Sequence, residues 1–263
     1  SFPVKPDPPR GELAGRRVII TRPLHQAAEL REMLEARDAT VLLIPALEIL
    51  PPANPGPLDD ALRETGRYQW AIFTSANTVE RVAARAVELG LPPLGDLLAT
   101  ARICAIGPAT RAALETLGCP VALLPEQYVA ESIAAAFSVL PLEGVRFLLP
   151  RAEAARDVVP EALRARGALV DAVDAYRSAI PAASVAAVAA LIERAERVDW
   201  VAFTSGSTVA NFLAMGGQPL LKGARIASIG PVTSEVAAKH GLRVNAEAEV
   251  HTAEGLVAAM LRD

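Results

Sequence analysis

The chain has 263 residues, 52% of them hydrophobic, and a net charge of −4, which leaves room for two compact domains with cores of their own. The acidic balance argues against general nucleic-acid binding, and no uncharged apolar run of about 18 residues supplies a membrane-spanning helix. Cys104 and Cys119 lie in apolar contexts, and His25, His240 and His251 are far apart, so no disulfide framework, metal site or cofactor is expected.

The chain opens on SFPVKPDPPRGEL, a proline-rich stretch that reads as a loose tail. It carries no charged-then-apolar leader pattern, so a cytoplasmic protein is expected. VIIT at Val18–Thr21 is a short apolar run of strand length, AAELREMLEAR at Ala27–Arg37 a helix, and TVLLIP at Thr40–Pro45 a second strand. EILPPANPGP at Glu48–Pro57 is proline-rich and reads as a connection between domains. WAIFTS at Trp70–Ser75 and ARICAIG at Ala101–Gly107 each read as a strand, a turn and the start of a helix, and Val121–Leu124 as a closing strand. The pattern then recurs. FLLP at Phe147–Pro150, a helix in VVPEALRAR and a strand in ALVDAV at Ala168–Val173 lead to a second connection, DAYRSAIPAA at Asp174–Ala183. WVAFTS at Trp200–Ser205, ARIASIG at Ala224–Gly230 and Val244–Ala246 complete the series. Gly90, Gly118, Gly167 and Gly241 fall where helices should stop.

This recurrence is a duplication. Tyr68–Val79 and Val198–Val209 share W-x-x-F-T-S-x-x-T-V at an offset of 130. ARICAIGPATR at Ala101–Arg111 and ARIASIGPVTS at Ala224–Ser234 align at 123, as do YVAES at Tyr128–Ser132 and HTAEG at His251–Gly255. RRVIITRP at Arg16–Pro23 aligns with GVRFLLPR at Gly144–Arg151 near 129. Alternating strands and helices with continuous apolar strands imply an α/β class: two similar domains with parallel sheets flanked by helices.

Ligands of open parallel sheets bind beyond the carboxyl ends of the strands. The F-T-S turns put Thr74, Ser75, Asn77 and Thr78 at one helix start and Thr204, Ser205, Ser207 and Thr208 at another. The I-G-P turns put Gly107, Pro108 and Thr110, and again Gly230, Pro231 and Thr233, at two more. Short hydroxyls there serve as helix caps, and the same free N–H groups attract anions. Arg22 and Arg151 end the equivalent strands of the two copies, either as ion pairs or as bidentate carboxylate clamps. Tyr176, in the second connection, either packs on a neighbouring strand or offers a phenolic proton. Dinucleotide, P-loop and G-x-S-x-G fingerprints are absent. Hydroxyls, amides, arginines and a tyrosine suit orientation of an anionic ligand better than covalent catalysis.

The ordered set V-I-I-T-R-P, F-T-S-A-N-T-V, I-G-P-A-T, L-L-P-R, D-A-Y-R, F-T-S-G-S-T-V and I-G-P-V-T-S resembles the uroporphyrinogen-III synthase family over about Arg16 to Leu261. The resemblance implies two α/β domains joined by a two-stranded linker with a cleft between them. One domain, discontinuous, would hold 1–46 and 179–263, the other 50–174, with linkers near 47–49 and 175–178. The reaction it implies converts hydroxymethylbilane to uroporphyrinogen III, with loss of water and inversion of ring D through a spiro intermediate. It supplies tetrapyrrole biosynthesis towards heme, siroheme and cobalamin. Tyr176 matches the family's catalytic tyrosine. Arg22, Ser75, Asn77, Gly107, Thr110, Tyr128, Arg151, Ser205, Gly206, Thr233 and Thr252 are the expected substrate-binding positions. The implied partners are the tetrapyrrole substrate and product, with possible hand-over from hydroxymethylbilane synthase; a monomer is expected, with neither nucleic acid nor membrane. The competing reading is a non-catalytic two-lobed sensor or binding protein for an anionic tetrapyrrole.

Overall fold

A computed structural model describes residues 11–125 and 130–263. In chain order it forms β1 (Arg17–Ile20), α1 (Leu24–Glu35), β2 (Thr40–Leu43), β3 (Glu48–Leu50), α2 (Gly56–Arg63), β4 (Trp70–Phe73), α3 (Ala76–Glu88) and α4 (Leu94–Leu97). There follow β5 (Arg102–Ala105), α5 (Pro108–Thr116), β6 (Val121–Leu123), α6 (Ala130–Ala136), β7 (Arg146–Ala152), α7 (Val158–Arg164) and β8 (Leu169–Ala179). The last third holds α8 (Ala182–Glu193), β9 (Trp200–Phe203), α9 (Gly206–Ala214), α10 (Gln218–Leu221), β10 (Arg225–Ser228), α11 (Pro231–Lys239), β11 (Ala246–Glu247) and α12 (Ala253–Arg262).

These elements make two compact units, Ser1–Glu48 with Ala179–Asp263 (unit 1) and Ile49–Ser178 (unit 2). The described residues of unit 1 form a sheet ordered β11-β10-β9-β1-β2, and unit 2 repeats that order as β6-β5-β4-β7-β8 with β3 added beyond β8. Each sheet therefore takes its first βαβ segment from one sequence copy and its remaining strands from the other. The register agrees with the repeat: Val18 lies opposite Trp200, and its counterpart Phe147 lies opposite Trp70.

Both faces of each sheet are covered, which explains the unbroken apolar strands. In β9, Trp200 and Ala202 join one core cluster and Val201 and Phe203 the other. In β4, Trp70 and Ile72 face one cluster, Ala71 and Phe73 the other. The helix-ending glycines at 90, 118, 167 and 241 all adopt positive φ, the left-handed conformation in which a side chain is strained.

Two sequence expectations shift. The residues from Asp174, read from composition as a connection and from the resemblance as part of a two-stranded linker, continue β8 to Ala179 beside β3, and Ala175 and Tyr176 are buried while Arg151 and Ala152 pair with Asp174 and Tyr176. The strand expected over Val244–Ala246 starts at Ala246. Asn245 uses its side chain in place of a ladder bond: its Oδ1 accepts the Ile226 N–H at 2.8 Å.

Candidate functional site

In each unit the chain leaves the middle of the sheet in opposite directions. β1 leads outward to β2 while its neighbour β9 leads the other way to β10; β7 and β4 do the same in unit 2. Ligands of open α/β sheets settle at the carboxyl ends of such a strand pair. Arg22 and the Ser205 turn flank this point in unit 1, and Arg151 and the Ser75 turn flank it in unit 2.

The hydroxyls at these turns are occupied first by the helices they start. Ser75 caps α3, its Oγ accepting the Thr78 N–H at 3.2 Å. Ser205 caps α9 in a reciprocal box with Thr208. Thr252 caps α12 by accepting the Gly255 N–H at 3.1 Å. Thr110 and Thr233 are buried in the first turns of α5 and α11, and Asn77 lies half-buried in the first turn of α3. The bland alternative for Ser75, Ser205 and Thr252 is thus a structural fact, although it leaves other N–H groups of those first turns without intrahelical partners.

The glycines separate into two kinds. Gly107 has φ +83° and open space where a side chain would stand, so its backbone conformation, not crowding, demands glycine. Gly206 is required by packing instead, since a Cβ there would lie 2.7 Å from Val236 Cγ2 on α11. Tyr128 lies outside the described residues. Its counterpart His251 presses its imidazole onto Gly230, close enough that a Cβ would come within 2.9 Å of the ring. The repeat signalled this position through a chemical mismatch, Tyr128-Val129 against His251-Thr252.

The two arginines differ. Arg22 makes no ion pair with a described residue, and its Nε is buried without a hydrogen-bond partner. Arg151 donates from Nη1 to Asp157 at 2.6 Å, and its Nε lies 3.8 Å from Asp174. Burial pushes the Asp174 carboxyl up, and Arg151 holds it down only in part. The ion-pair alternative therefore describes one end of Arg151, while its Nε, like that of Arg22, is buried without a hydrogen-bond partner.

Tyr176 is buried in the unit 2 core, and its backbone carbonyl accepts the Glu153 N–H at 2.8 Å. Its hydroxyl makes no hydrogen bond to a described residue. This is the packed position weighed against the proton-donor role in the sequence.

At the β4/β7 carboxyl edge of unit 2 lies a cavity of about 220 Å³ with an apolar floor of Ile106, Ile133, Leu149 and Val159 and with Thr74, Arg151 and Arg156 on its wall. That is below the roughly 300–1,000 Å³ usual for a whole small-molecule ligand, and suits part of a larger one. Arg156 and this floor were not anticipated from the sequence. Among the described residues no cluster of three or more His, Cys, Asp and Glu could hold a metal.

Comparison with known proteins fixes the lineage. The family model described as Uroporphyrinogen-III synthase HemD matches residues 28–258. The chain belongs to the uroporphyrinogen-III synthase family. It is 33% identical over 256 residues to a uroporphyrinogen-III synthase of Synechococcus elongatus, covering 94% of this chain and 95% of that one. Among solved structures, a mutant uroporphyrinogen III synthase of Thermus thermophilus matches with TM-score 0.66 at 19% identity, over 94% of this chain and 98% of that one. A uroporphyrinogen-III synthetase of Helicobacter pylori matches with TM-score 0.60 at 18% identity, over 94% and 99%. At these identities the structural matches establish the family's two-domain α/β fold. No described helix is long and apolar enough to cross a membrane.

Proposed function

We propose that the chain cyclises hydroxymethylbilane to uroporphyrinogen III, losing water and inverting ring D through a spiro intermediate. The observation that carries this reading is the pair of equivalent strand edges, each bringing an arginine and capped helix starts to a switch point, in a chain of this family. Unpaired N–H groups in the first turns attract anions without lysine, which suits a polycarboxylate substrate in an acidic protein.

The bilane also closes spontaneously without inversion, so the enzyme's task is to impose geometry. Holding the substituted α-carbon of ring D against the azafulvene terminus can be worth about 7–11 kcal/mol in favourable cases. Arg22, Gly107, Thr110, Thr233 and the cap residues Ser75, Ser205 and Thr252 are the positions assigned to that grip. Tyr176 is assigned proton donation to the departing hydroxyl, and Tyr176→Phe is expected to lower kcat by about 100-fold while leaving product affinity nearly intact. Unchanged turnover would remove Tyr176 from the mechanism. In this reading the protein acts as a cytoplasmic monomer and takes its short-lived substrate from hydroxymethylbilane synthase.

The test is product analysis. Incubated with hydroxymethylbilane, the protein is expected to yield the type III isomer in excess of the spontaneous type I. A type I product alone would leave the non-catalytic binding protein as the better account.

A further inference from the structure

The two copies part company just after their switch-point arginines. In copy one, only Pro23 separates Arg22 from α1; in copy two, residues 152–157 separate Arg151 from α7. The chain length is conserved, since Thr40 and Leu169, each opposite the start of the preceding strand, keep the 129-residue offset. Residues 153–157 therefore stand where α1 has its first turn and more, yet they are not helical.

Composition explains only the end of this, because Glu-Ala-Ala-Arg at 153–156 is built of strong helix formers, and Asp157 alone suits the N-cap position it takes before α7. Pro160 explains the rest. A helix begun at Glu153 would place Pro160 in its interior, where the ring clashes with the carbonyl four residues back, that of Arg156. With the helix begun at Val158, Pro160 falls in the first turn, where its missing N–H costs nothing.

The unwound segment is tied down at both ends. Glu153 Oε2 accepts the Ala53 N–H at 3.0 Å, and Asp157 accepts from Arg151. Between these ties Arg156 is exposed, reaches the cavity wall, and makes no ion pair or hydrogen bond with a described residue. Arg151, the other cation on that wall, is matched by Asp157 and Asp174. The uncompensated charge of the cavity is that of Arg156.

We propose that Arg156 binds a carboxylate of the tetrapyrrole while the pyrrole ring carrying it lies on the floor of Ile106, Ile133, Leu149 and Val159. This inference rests on the cyclisation reading above. The apolar floor takes a ring face, the planar guanidinium takes the carboxylate in a bidentate fashion, and Pro160 keeps the segment out of the helix so that both are available.

Steady-state kinetics with hydroxymethylbilane and isomer separation test it, with the type III product as the binding probe. Arg156→Gln is expected to raise KM and weaken product affinity about tenfold at low ionic strength, as for one charge-assisted hydrogen bond partly open to water, with kcat within about twofold. The gap should narrow at high salt, and Arg156→Lys should fall between the two. Pro160→Ala should add far-UV helical signal and raise KM in the same direction. Arg63→Gln, the same charge loss at the end of α2 before β4, should match the parent protein. If the parent makes the type III isomer and Arg156→Gln leaves KM and product affinity unchanged, the carboxylate contact is overturned and the activity reading stands. If the parent makes only the type I isomer, both fall.

Discussion

Arg22 and Arg151 occupy one position in two copies of one fold, yet a helix follows the first at once and an unwound segment follows the second. The first is without a described ion-pair partner; the second is held between Asp157 and Asp174. Duplication thus preserved the sheet order and the strand register but not the chemistry of the carboxyl edge. Pro160 sets where the helix can start, and Asp157 and Asp174, which stand where copy one has Ala28 and Pro45, supply the partners that Arg22 lacks. A family whose substrate ends must be told apart has use for two edges that are alike in architecture and unlike in their contacts.

The opposite, amino-terminal edge shows the converse: the same device in two chemistries. In unit 2 the Gln69 side chain accepts the Arg146 N–H at 2.7 Å, and in unit 1 Asp199 accepts the Arg17 N–H at 2.9 Å. Arginine lies over the adjacent tryptophan in both, Arg102 over Trp70 at 4.6 Å and Arg225 over Trp200 at 5.1 Å. Asp199 is the more buried acceptor and also takes Arg16 and Arg197. Asp199→Ala should therefore cost about 2–3 kcal/mol in urea denaturation and Gln69→Ala about 1 kcal/mol, because the former strands a part-buried N–H and removes the carboxylate partner of Arg16 and Arg197, whereas the latter strands an exposed N–H. Equal losses would mean that the charge contributes nothing beyond the shared hydrogen bond.

The same pair differs in acid. Burial pushes the Asp199 carboxyl up, but the Arg17 N–H and the Arg197 and Arg16 guanidinium groups more than reverse this and hold it below the ordinary range. With the folded value lowered, its contribution is complete above the ordinary carboxylate pKa of about 3.9 and fades as pH falls through the folded value. The stability gap between the parent and Asp199→Asn should accordingly shrink below about pH 4, whereas the Gln69→Ala gap has no such titration. A gap that stayed constant into acid would place the effect of Asp199 in geometry, not charge.

The duplication, the strand series and the four helix starts were all legible in the letters, since apolar runs and F-T-S and I-G-P turns are local signals. Legible too was the exchange of βαβ segments once the family resemblance was drawn. The continuation of β8 past Asp174 was legible only through that resemblance, which implied a two-stranded linker, because D-A-Y-R-S-A alternates weakly and pairing with β7 and β3 makes it a strand. Nor could composition reveal the compensation of Arg151, which depends on two carboxylates that folding brings together. Pro160 was visible throughout, in VVPEALR, but its consequence emerges only when the two copies are laid helix against helix. The cavity needed Ile106 from the turn after β5, Ile133 from α6 and Val159 from α7.

Substitution of the two switch-point arginines should divide affinity from stability. Arg22→Ala is expected to weaken binding of the type III product by about tenfold at low salt, with the loss shrinking as salt is raised. Arg151→Ala should cost at most about 1 kcal/mol of unfolding free energy, since its partner Asp157 is exposed, and should let the Asp174 carboxyl rise further. Calorimetric titration beside thermal unfolding would check both. A salt-sensitive affinity loss for Arg151→Ala as large as that for Arg22→Ala would show that the two edges bind alike despite their different ion pairs.

The smallest contrast lies in the caps. Ser205 and Thr208 satisfy each other's N–H groups, whereas Ser75 receives the Thr78 N–H and meets the Thr78 hydroxyl at 2.9 Å without a return bond to its own N–H. Ser205→Ala should cost about 1–2 kcal/mol and Ser75→Ala about 1 kcal/mol, read from denaturation midpoints. The more telling quantity is the partition between stability and product affinity. A hydroxyl that only caps loses stability and nothing else, because the first-turn N–H groups that attract an anion stay in place. One that also meets the substrate loses affinity by more than the folded fraction can explain. If both serines prove to be caps alone, the anion grip belongs to the backbone of α3 and α9, and the difference between the two edges reduces to their arginines.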